Sequence, residues 1–483
     1  MIIGIYFVLL RTIMILIAVV LFYFALLFAI SRWTGRRATN DTFYRADRRS
    51  PWYMVAFGMV GASISGVTFV SVPGMVLKTQ MTYLQTCMGF VVSYVLVAFV
   101  LLPLYYKLNL TSIYSYLGNR LGRQSHLTGS SFFLLSKMTG ATVRFYVVCI
   151  ILQRFAFEPL DIPFAVTVVG LVLLIWLYTR QGGIKTLVWT DSLQTVCLFG
   201  ALLLIIYRVV TDLGLTAGET VSAIAQNDLS RVFVFDDWMS KQHFWKQFLS
   251  GVFIVIVMTG LDQDMMQKNL TCKTLRGAQK DMCSYGVAFL PANLLFLSLG
   301  VLLTMWYQRQ NMALPAGDDL LPQYISLTSN LSSLTSCIFV LGIIAASFSS
   351  ADSALTSLTT IYCVDIRKRV GDEQLRRRVH VAMCAIFVLF ILLFNALNST
   401  SLIDAVYIIV SYTYGPLLGL FAYGLLTKRS VDDSKVPYIA VASPFLCYLL
   451  DYAAGCFVGY HFGYELLMLN GLLTFIGLRL TSR

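Results

Sequence analysis

Long apolar runs separated by short polar connections make up almost the whole chain. Each run is close to the roughly 20 residues that an α-helix needs to cross a bilayer. Thirteen can be drawn, at 13–32, 52–76, 84–106, 128–153, 160–179, 186–209, 247–267, 286–308, 331–363, 380–398, 402–427, 437–457 and 462–480. The pattern therefore predicts an all-α integral membrane protein with about 13 transmembrane helices. The apolar residues 1–10 have no assigned role, beyond an expected extension of the first helix.

Composition and charge agree with a membrane protein. Of the 483 residues, 58% are hydrophobic and 12% are charged, and the longest polar connection, about 212–245, is too short for a soluble domain. The net charge of +12 does not indicate nucleic acid, because most of the 36 basic residues fall in alternate connections. This distribution predicts an outside N-terminus and a cytoplasmic C-terminus. We expect a multi-pass plasma-membrane protein, in a bacterium the inner membrane, with no nucleic-acid partner and no obligate protein partner.

Several classes of chemistry are not supported. The ten cysteines have no paired spacing, and the four histidines are far apart, so neither disulfides nor a transition-metal site is predicted. No nucleophile motif or paired His/Asp arrangement indicates an enzyme. A sensor or channel would need a signalling domain or a continuous polar pore, and the sequence shows neither. The N-terminus lacks the pattern of a cleaved signal peptide and is expected to remain as a helix.

One apolar run, 339–365, carries a stripe of hydroxyl groups. Ser349, Ser353, Thr356 and Thr360 lie at offsets of 0, 4, 7 and 11 residues, which is one face of an α-helix, and Asp352 lies within the stripe. Oxygen ligands of this kind suit a hard cation such as Na⁺. The alternative is that these small residues only pack helices together and bond back to their own backbone.

The second apolar run is rich in small residues around its middle. These are Gly58, Gly61, Ala62, Ser63, Ser65 and Gly66, with Pro73-Gly74 at the outer end. Such a composition is tolerated where a membrane helix breaks beside a cavity and its carbonyl groups bind something else. Close packing of two intact helices is the alternative.

Five segments in order give the chain a resemblance to the sodium:solute symporter family. They are FYRADRRSPWYMV with GASISG and PG, GGIKTLVWTDSLQ at 182–194, DQDMMQK at 262–268, ASFSSADSALTSLTTIYCVDI at 346–366 and GPLLGLF at 415–421. The resemblance implies a LeuT-type fold of two inverted five-helix repeats in a single transporter domain, 1–483. The expected parts are an extra first helix at 13–32, repeats at 52–209 and 247–427, and two C-terminal helices at 437–480.

The resemblance also implies a Na⁺ site between the second and ninth helices. Its ligands would be the carbonyl groups of Gly61, Ile64 and Ala346 and the hydroxyl groups of Ser349 and Ser350. Na⁺ bound there would hold the two helices together in one state, which would couple the ion to transport.

Some relatives carry a second Na⁺, and the matching positions are Asp191, Asp352 and Ser353. Asp352 stands where the family usually has a hydroxyl group, so the pair of carboxylates could hold either a cation or a shared proton. The alternatives are that Asp191 caps a helix start and that Asp352 pairs with Lys137 or Arg144. The number of ions per cycle stays open.

The substrate site is expected around Arg144 and Lys137, two turns apart in the fourth span. Arg144 offers a planar fork for a carboxylate, although either side chain could instead form a salt bridge to Asp352, Asp191 or Glu158, or extend toward the outer membrane face. Further candidate lining residues are Ser65, Thr68, Gln85, Thr259 and Tyr412, and Tyr412 and Tyr414 precede a predicted bend and gate at Gly415-Pro416.

Taken together, the sequence predicts Na⁺-coupled symport of a small organic solute into the cytoplasm. The solute is expected to carry a carboxylate, as in sialic acid or another organic acid. Ser63 and the segment YLQTCMG at 83–89 depart from the proline and sugar branches, respectively. The alternatives are a Na⁺-coupled sugar or amino acid symporter, and an H⁺-coupled symporter that uses Asp191 and Asp352.

Overall fold

The computed structural model describes residues 2–36, 38–328, 334–397 and 402–482. These residues form α-helices joined by loops and short helical turns, and within them two isolated β-bridges occur without any β-strand. The all-α fold class predicted from the apolar runs is therefore confirmed.

Sixteen helices are used in the description below. They are α1 Ile2–Thr34, α2 Trp52–Ser63, α3 Gly66–Thr79, α4 Tyr83–Lys107, α5 Arg123–Leu152, α6 Phe164–Thr179, α7 Ile184–Asp212, α8 Phe244–Gly260, α9 Gln263–Asn269, α10 Leu275–Arg309, α11 Leu334–Ile361, α12 Glu373–Leu397, α13 Leu402–Thr413, α14 Gly415–Leu426, α15 Val436–Val458 and α16 Leu466–Leu480. Of the apolar segment 1–10, residues 2–10 are continuous with the first helix, because α1 begins at Ile2.

Seven helices in the described ranges are long and apolar enough to cross a membrane. The number rises to ten if each of three bent helix pairs forms one span. Three shorter apolar helices, at Ala18–Thr34, Phe164–Thr179 and Leu466–Leu480, coincide with predicted runs. A multi-pass membrane protein is thus supported, while the count of 13 spans and the orientation of the termini stay predictions.

Three breaks interrupt the helices. The first lies between α2 and α3, which meet at 57°, with Ile64 and Ser65 in extended conformations. The second separates α8 from α9 at 68°, and the third separates α13 from α14 at 44°, where Pro416 opens the second helix of the pair. The break predicted from the small residues of the second apolar run is therefore present.

The helix with the hydroxyl stripe, α11, lies at the centre of the fold. Of the apolar window within it, 89% is buried, against 11% for α15. Helices α11 and α7 can approach the first break closely because a glycine of the broken pair faces each of them. A Cβ atom at Gly66 would lie 2.1 Å from Ser347 Oγ of α11, and one at Gly61 would lie 2.0 Å from Thr195 Oγ1 of α7.

Candidate functional site

The α2–α3 break contacts α11 through Ser350. The Ser350 hydroxyl donates to the carbonyl oxygen of Ala62 at 3.0 Å, and the carbonyl oxygen of Ala346 is 3.4 Å away. The last carbonyl groups of a helix have no partner within it, and Gly61 lies in the last turn of α2, with Ile64 as its cap residue. The structure therefore brings Ser350 of α11 against the end of α2 at Ala62, one residue from Gly61 and two from Ile64.

Ser349, the neighbour of Ser350, contacts α7. Its hydroxyl donates to Asp191 Oδ1 at 2.7 Å. Asp191 lies well inside α7, which begins at Ile184, so the alternative of a helix-start cap is wrong. The second oxygen of Asp191 lies 2.8 Å from Lys268 Nζ, and both side chains are at most 2% exposed.

Lys268 is a functional candidate that the sequence reasoning missed. It directly follows the apolar run at 247–267, where the sequence predicts a connection, whereas it is buried near the end of α9, after the second break. The physical reason is the 68° bend, which turns the segment 263–269 back into the protein. The available signal was the close spacing of Asp262, Asp264 and Lys268 at the end of an apolar run.

Asp352 is fully buried and does not pair with a basic residue of α5. Its Oδ2 atom accepts a hydrogen bond from the Tyr178 hydroxyl at 2.7 Å, and its Oδ1 atom accepts one from Ser353 at 3.3 Å. The alternative that Asp352 is the partner of Lys137 or Arg144 is therefore wrong.

Lys137 instead binds two carboxylates next to the second break. Its Nζ atom lies 2.6 Å from Asp264 Oδ2 and 3.1 Å from Asp262 Oδ2. Asp262 also accepts a hydrogen bond from the Tyr414 hydroxyl at 2.6 Å and caps α9 through the backbone of Asp264. The proposed salt bridges of Lys137 to Asp352, Asp191 or Glu158 are therefore wrong.

A cavity of about 90 Å³ lies between the α2–α3 break and helices α4, α5, α8, α10 and α13. Ser350 lines it, so the cavity and the predicted ion site share a residue. Of the residues predicted to line a substrate site, the structure places Ser65, Thr68, Lys137, Arg144 and Thr259 at its wall.

Gln85 and Tyr412 do not line this cavity. The Gln85 amide donates to the carbonyl oxygen of Gln242 at 3.0 Å and accepts from the backbone N–H of Val234 at 3.2 Å. These bonds connect α4 to the loop that precedes α8. The carbonyl oxygen of Tyr412 accepts a hydrogen bond from the Asn470 amide of α16 at 3.1 Å. Tyr414, two residues further along and next to the helix break, takes the place at the wall.

Arg144 is the cavity's distinctive polar group. It is half-buried and forms no ion pair within the ranges that the structure describes, so the predicted salt bridges to Asp352, Asp191 or Glu158 are absent. The hydroxyl-bearing side chains of Tyr285 and Tyr414 line the same wall. A guanidinium group without a carboxylate partner in a cavity is suited to bind a carboxylate from solution.

Residues 43–433 match the sodium:solute symporter family. This match covers most of the 483 residues. The chain belongs to the sodium:solute symporter family. Membership agrees with the five sequence segments, with the central α11 and with the broken α2–α3 pair. It establishes the protein as a sodium-coupled symporter and Na⁺ as its coupling ion.

Relatives in this family are distant but match over most of the chain. The sodium/sialic acid symporter SiaT of Proteus mirabilis is 24% identical over 426 residues, covering 84% of this chain and 83% of the relative. The sodium/sialic acid symporter NanT of Aliivibrio fischeri is 25% identical over 429 residues, with coverages of 86% and 83%. The human sodium/iodide cotransporter is 24% identical over 405 residues, with coverages of 81% and 62%.

Solved structures support the fold. A substrate-bound, outward-open Na⁺-coupled sialic acid symporter superposes with a TM-score of 0.79 at 21% identity, covering 97% of this chain and 99% of the other. The nucleobase-cation-symport-1 family transporter Mhp1, in a closed conformation, gives 0.58 at 13% identity, with coverages of 91% and 92%. At these identities the likeness shows the shared fold and nothing about the solute.

Proposed function

We propose that this sodium-coupled symporter carries a small organic solute with a carboxylate group into the cytoplasm by alternating access. The observation that carries the proposal is Arg144, a half-buried guanidinium group at the wall of the cavity with no ion pair in the described parts of the chain. A charge at membrane depth is costly unless a partner compensates it. A carboxylate on the solute would supply that partner in each transport cycle.

The names of several relatives support an anionic solute. Two are sodium/sialic acid symporters, and others are sodium-coupled monocarboxylate transporters of cattle and mouse. Sialic acid and monocarboxylates share the carboxylate that suits an arginine fork. A sugar or amino acid as solute is the alternative, and the uncompensated arginine disfavours a neutral hexose.

We place the coupling Na⁺ between α2 and α11, with Gly61, Ile64, Ala346, Ser349 and Ser350 as ligands. The support is the 3.0 Å hydrogen bond from Ser350 to the broken end of α2, which puts a hydroxyl group among the free carbonyl groups. An ion there would stabilise the state in which α2 and α11 are together. Differential affinity for that state is what drives coupled transport.

For the second predicted site we propose that the ammonium group of Lys268 takes the place of a second Na⁺. It lies 2.8 Å from Asp191, and Asp191 also accepts from Ser349. This arrangement gives one Na⁺ per cycle. The alternative of H⁺ coupling rested on Asp352, which with Ser353 is buried and forms no ion pair among the described residues, and it conflicts with Na⁺ as the coupling ion.

The finer architecture belongs to the same proposal. We propose 13 spans, with the N-terminus outside and the C-terminus in the cytoplasm, and inverted repeats at 52–209 and 247–427. The positions of the broken pairs α2–α3 and α8–α9, each opening one repeat, support this division. A plasma membrane, in a bacterium the inner membrane, is the proposed location.

The test is uptake into proteoliposomes of radiolabelled solutes, namely carboxylated sugars, monocarboxylates and neutral hexoses, with an inward Na⁺ gradient or an inward H⁺ gradient. We expect Na⁺-dependent uptake of a carboxylate. Arg144→Lys should weaken solute binding by about 10-fold to 100-fold, because it keeps the charge but loses a bidentate hydrogen bond of about 1.5–3 kcal/mol. Ser350→Ala should raise the Na⁺ concentration needed for half-maximal uptake.

Matched controls separate these effects from misfolding. Ser357→Ala removes a hydroxyl group of the same helix that bonds only to its own backbone, at 2.9 Å from the Ala354 carbonyl oxygen, and should leave Na⁺ affinity unchanged. Arg154→Lys alters an exposed arginine of the same region of the chain. Uptake of a neutral hexose that Arg144→Lys does not affect would refute the carboxylate proposal, and uptake driven by H⁺ without Na⁺ would refute Na⁺ coupling.

A further inference from the structure

A second cavity, of about 270 Å³, lies apart from the transport site, where the end of α6 meets the start of α12. Its lining includes three arginines and three rings, and the lining residues used here are Phe43, Trp176, Arg180, Arg376, Arg377 and His380. None of the described residues that line it is acidic. Neither the transport cycle nor the Na⁺ site accounts for this cavity.

The positive charge of the cavity is poorly compensated. Arg376 is 4% exposed, and its Nε atom has no hydrogen-bond partner in the described part of the chain. Arg376 and Arg377 both turn to the single carboxylate of Glu373, at 3.4 Å and 2.8 Å. Arg180 stacks over the Trp176 ring at 5.2 Å. One carboxylate therefore serves two guanidinium groups, and a third guanidinium group has none of the described acids as an ion-pair partner.

The helix dipole adds to this excess. Arg376 and Arg377 stand in the first turns of α12, which begins at Glu373. The start of a helix carries a partial positive charge, so cations are unfavourable there and anions are favourable. The two ring nitrogens of His380 form hydrogen bonds with the hydroxyl groups of Thr179 at 3.0 Å and Thr359 at 2.9 Å. His380 therefore forms part of the cavity wall and adds no charge to it.

The cavity lies at the end of an apolar surface. On α6, Val169 and Leu173 are 51% and 50% exposed, and on α12, Val381 and Leu389 are 49% and 63% exposed. In a membrane protein, such faces contact acyl chains. Trp176 at the cavity's wall is also typical of the membrane interface. The basic residues around the cavity belong to connections that the charge distribution predicts to be cytoplasmic, where anionic lipids concentrate.

We propose that this cavity binds the phosphate group of an anionic phospholipid, with the acyl chains along the exposed faces of α6 and α12. The guanidinium groups supply charge-assisted hydrogen bonds to the phosphate oxygens, and Arg376 gains the partner that its buried Nε atom lacks. The chemistry is shared with free inorganic phosphate, and the adjoining apolar faces favour the lipid.

The test uses purified full-length protein, stripped of lipid in a neutral detergent. Thermal unfolding is measured with phosphatidylglycerol, cardiolipin, phosphatidylcholine or inorganic phosphate, and native mass spectrometry counts the bound lipid. Phosphatidylglycerol and cardiolipin should stabilise the protein, and phosphatidylcholine and inorganic phosphate should not. The double variant Arg180→Gln/Arg377→Gln should bind anionic lipid about 30-fold more weakly, because each arginine near the membrane surface contributes about 1 kcal/mol to binding.

Both substituted side chains are exposed, so the double variant should fold normally. Arg378→Gln is the matched control, because Arg378 is the exposed neighbour of Arg377 and does not line the cavity. Equal stabilisation by phosphatidylcholine, or an equal loss in Arg378→Gln, would overturn the site. Stabilisation by inorganic phosphate with the same dependence on Arg180 and Arg377 would overturn the assignment to lipid.

Discussion

The buried pair of Lys268 and Asp191 gives the sharpest prediction about the number of coupling ions. Replacing Lys268 with glutamine removes the ammonium group that lies 2.8 Å from Asp191 Oδ2, in a place where both side chains are at most 2% exposed. Breaking a buried ion pair from one side typically costs about 3–5 kcal/mol, because the remaining charge stays buried without a partner. We expect Lys268→Gln to lower the free energy of unfolding by about that amount in the absence of Na⁺.

The same variant should create a need for a second cation. Asp191, with the Ser349 hydroxyl at 2.7 Å, would then present oxygen ligands and no ammonium group. Na⁺ bound there at 100 times its dissociation constant would restore about 2.7 kcal/mol. The stability of Lys268→Gln should therefore rise more steeply with Na⁺ concentration than that of the wild type, and the Hill slope of Na⁺ binding should increase from about 1 toward 2.

The assay is thermal unfolding in detergent over a range of NaCl concentrations, with choline chloride keeping the ionic strength constant. Asp191→Asn/Lys268→Gln removes both charges and should recover most of the lost stability without regaining a steep Na⁺ dependence. Lys185→Gln is the control for loss of a lysine, since its pair with Asp47 is 3.6 Å long and partly exposed and should be worth less than about 1 kcal/mol.

Two results would refute this reasoning. If Lys268→Gln were no less stable than Lys185→Gln, the buried pair would not compensate the charge of Asp191. If the wild type already bound Na⁺ with a Hill slope near 2, and Lys268→Gln left that slope unchanged, the ammonium group would not occupy the place of an ion.

The remaining predictions concern packing around the site. Gly61→Ala puts a methyl group 2.0 Å from Thr195 Oγ1, which should cost about 1–3 kcal/mol and weaken Na⁺ binding measured by thermal shift, because the end of α2 must move. Adding Thr195→Ala should restore part of the stability that Gly61→Ala loses. Gly200→Ala is the control and should be neutral, because open space surrounds Gly200. An unchanged Na⁺ affinity in Gly61→Ala would contradict the prediction. Asp281 is buried, and neither of its carboxylate oxygens has a partner among the described residues. Asp281→Leu should therefore raise the free energy of unfolding by about 1–3 kcal/mol. A large loss of stability in thermal unfolding would instead show that the carboxylate has a partner.

The parts of the site that follow from local sequence were predictable. The hydroxyl groups of Ser349 and Ser353 lie on one face because helical periodicity places them there. The break near Gly61 follows from a cluster of small residues in an apolar run. Both are properties of fewer than about 30 consecutive residues, so no knowledge of the tertiary fold was needed to propose them.

Two of the wrong assignments arose at the other two breaks. Lys268 follows the apolar run at 247–267, a position that predicts a loop, whereas the bend before α9 returns it to the interior. Tyr412 and Tyr414 are equally plausible on a continuous helix, and only the break at Gly415 decides which one meets the cavity. Gln85 was misplaced because its partners come from a loop far along the chain, and sequence separation hides such contacts.

The short helix α9 connects the two parts of the site physically. Asp262 and Asp264 at its start bind Lys137 at the cavity wall, and Lys268 near its end binds Asp191 beside the predicted Na⁺ site. The helix is seven residues long and is set off from α8 by a 68° bend, so any displacement of it changes both ion pairs together. Coupling requires that the solute and Na⁺ favour the same conformational state. The effect is reciprocal. A solute that draws Lys137 toward itself changes the Na⁺ affinity by the same factor by which Na⁺ changes the solute affinity.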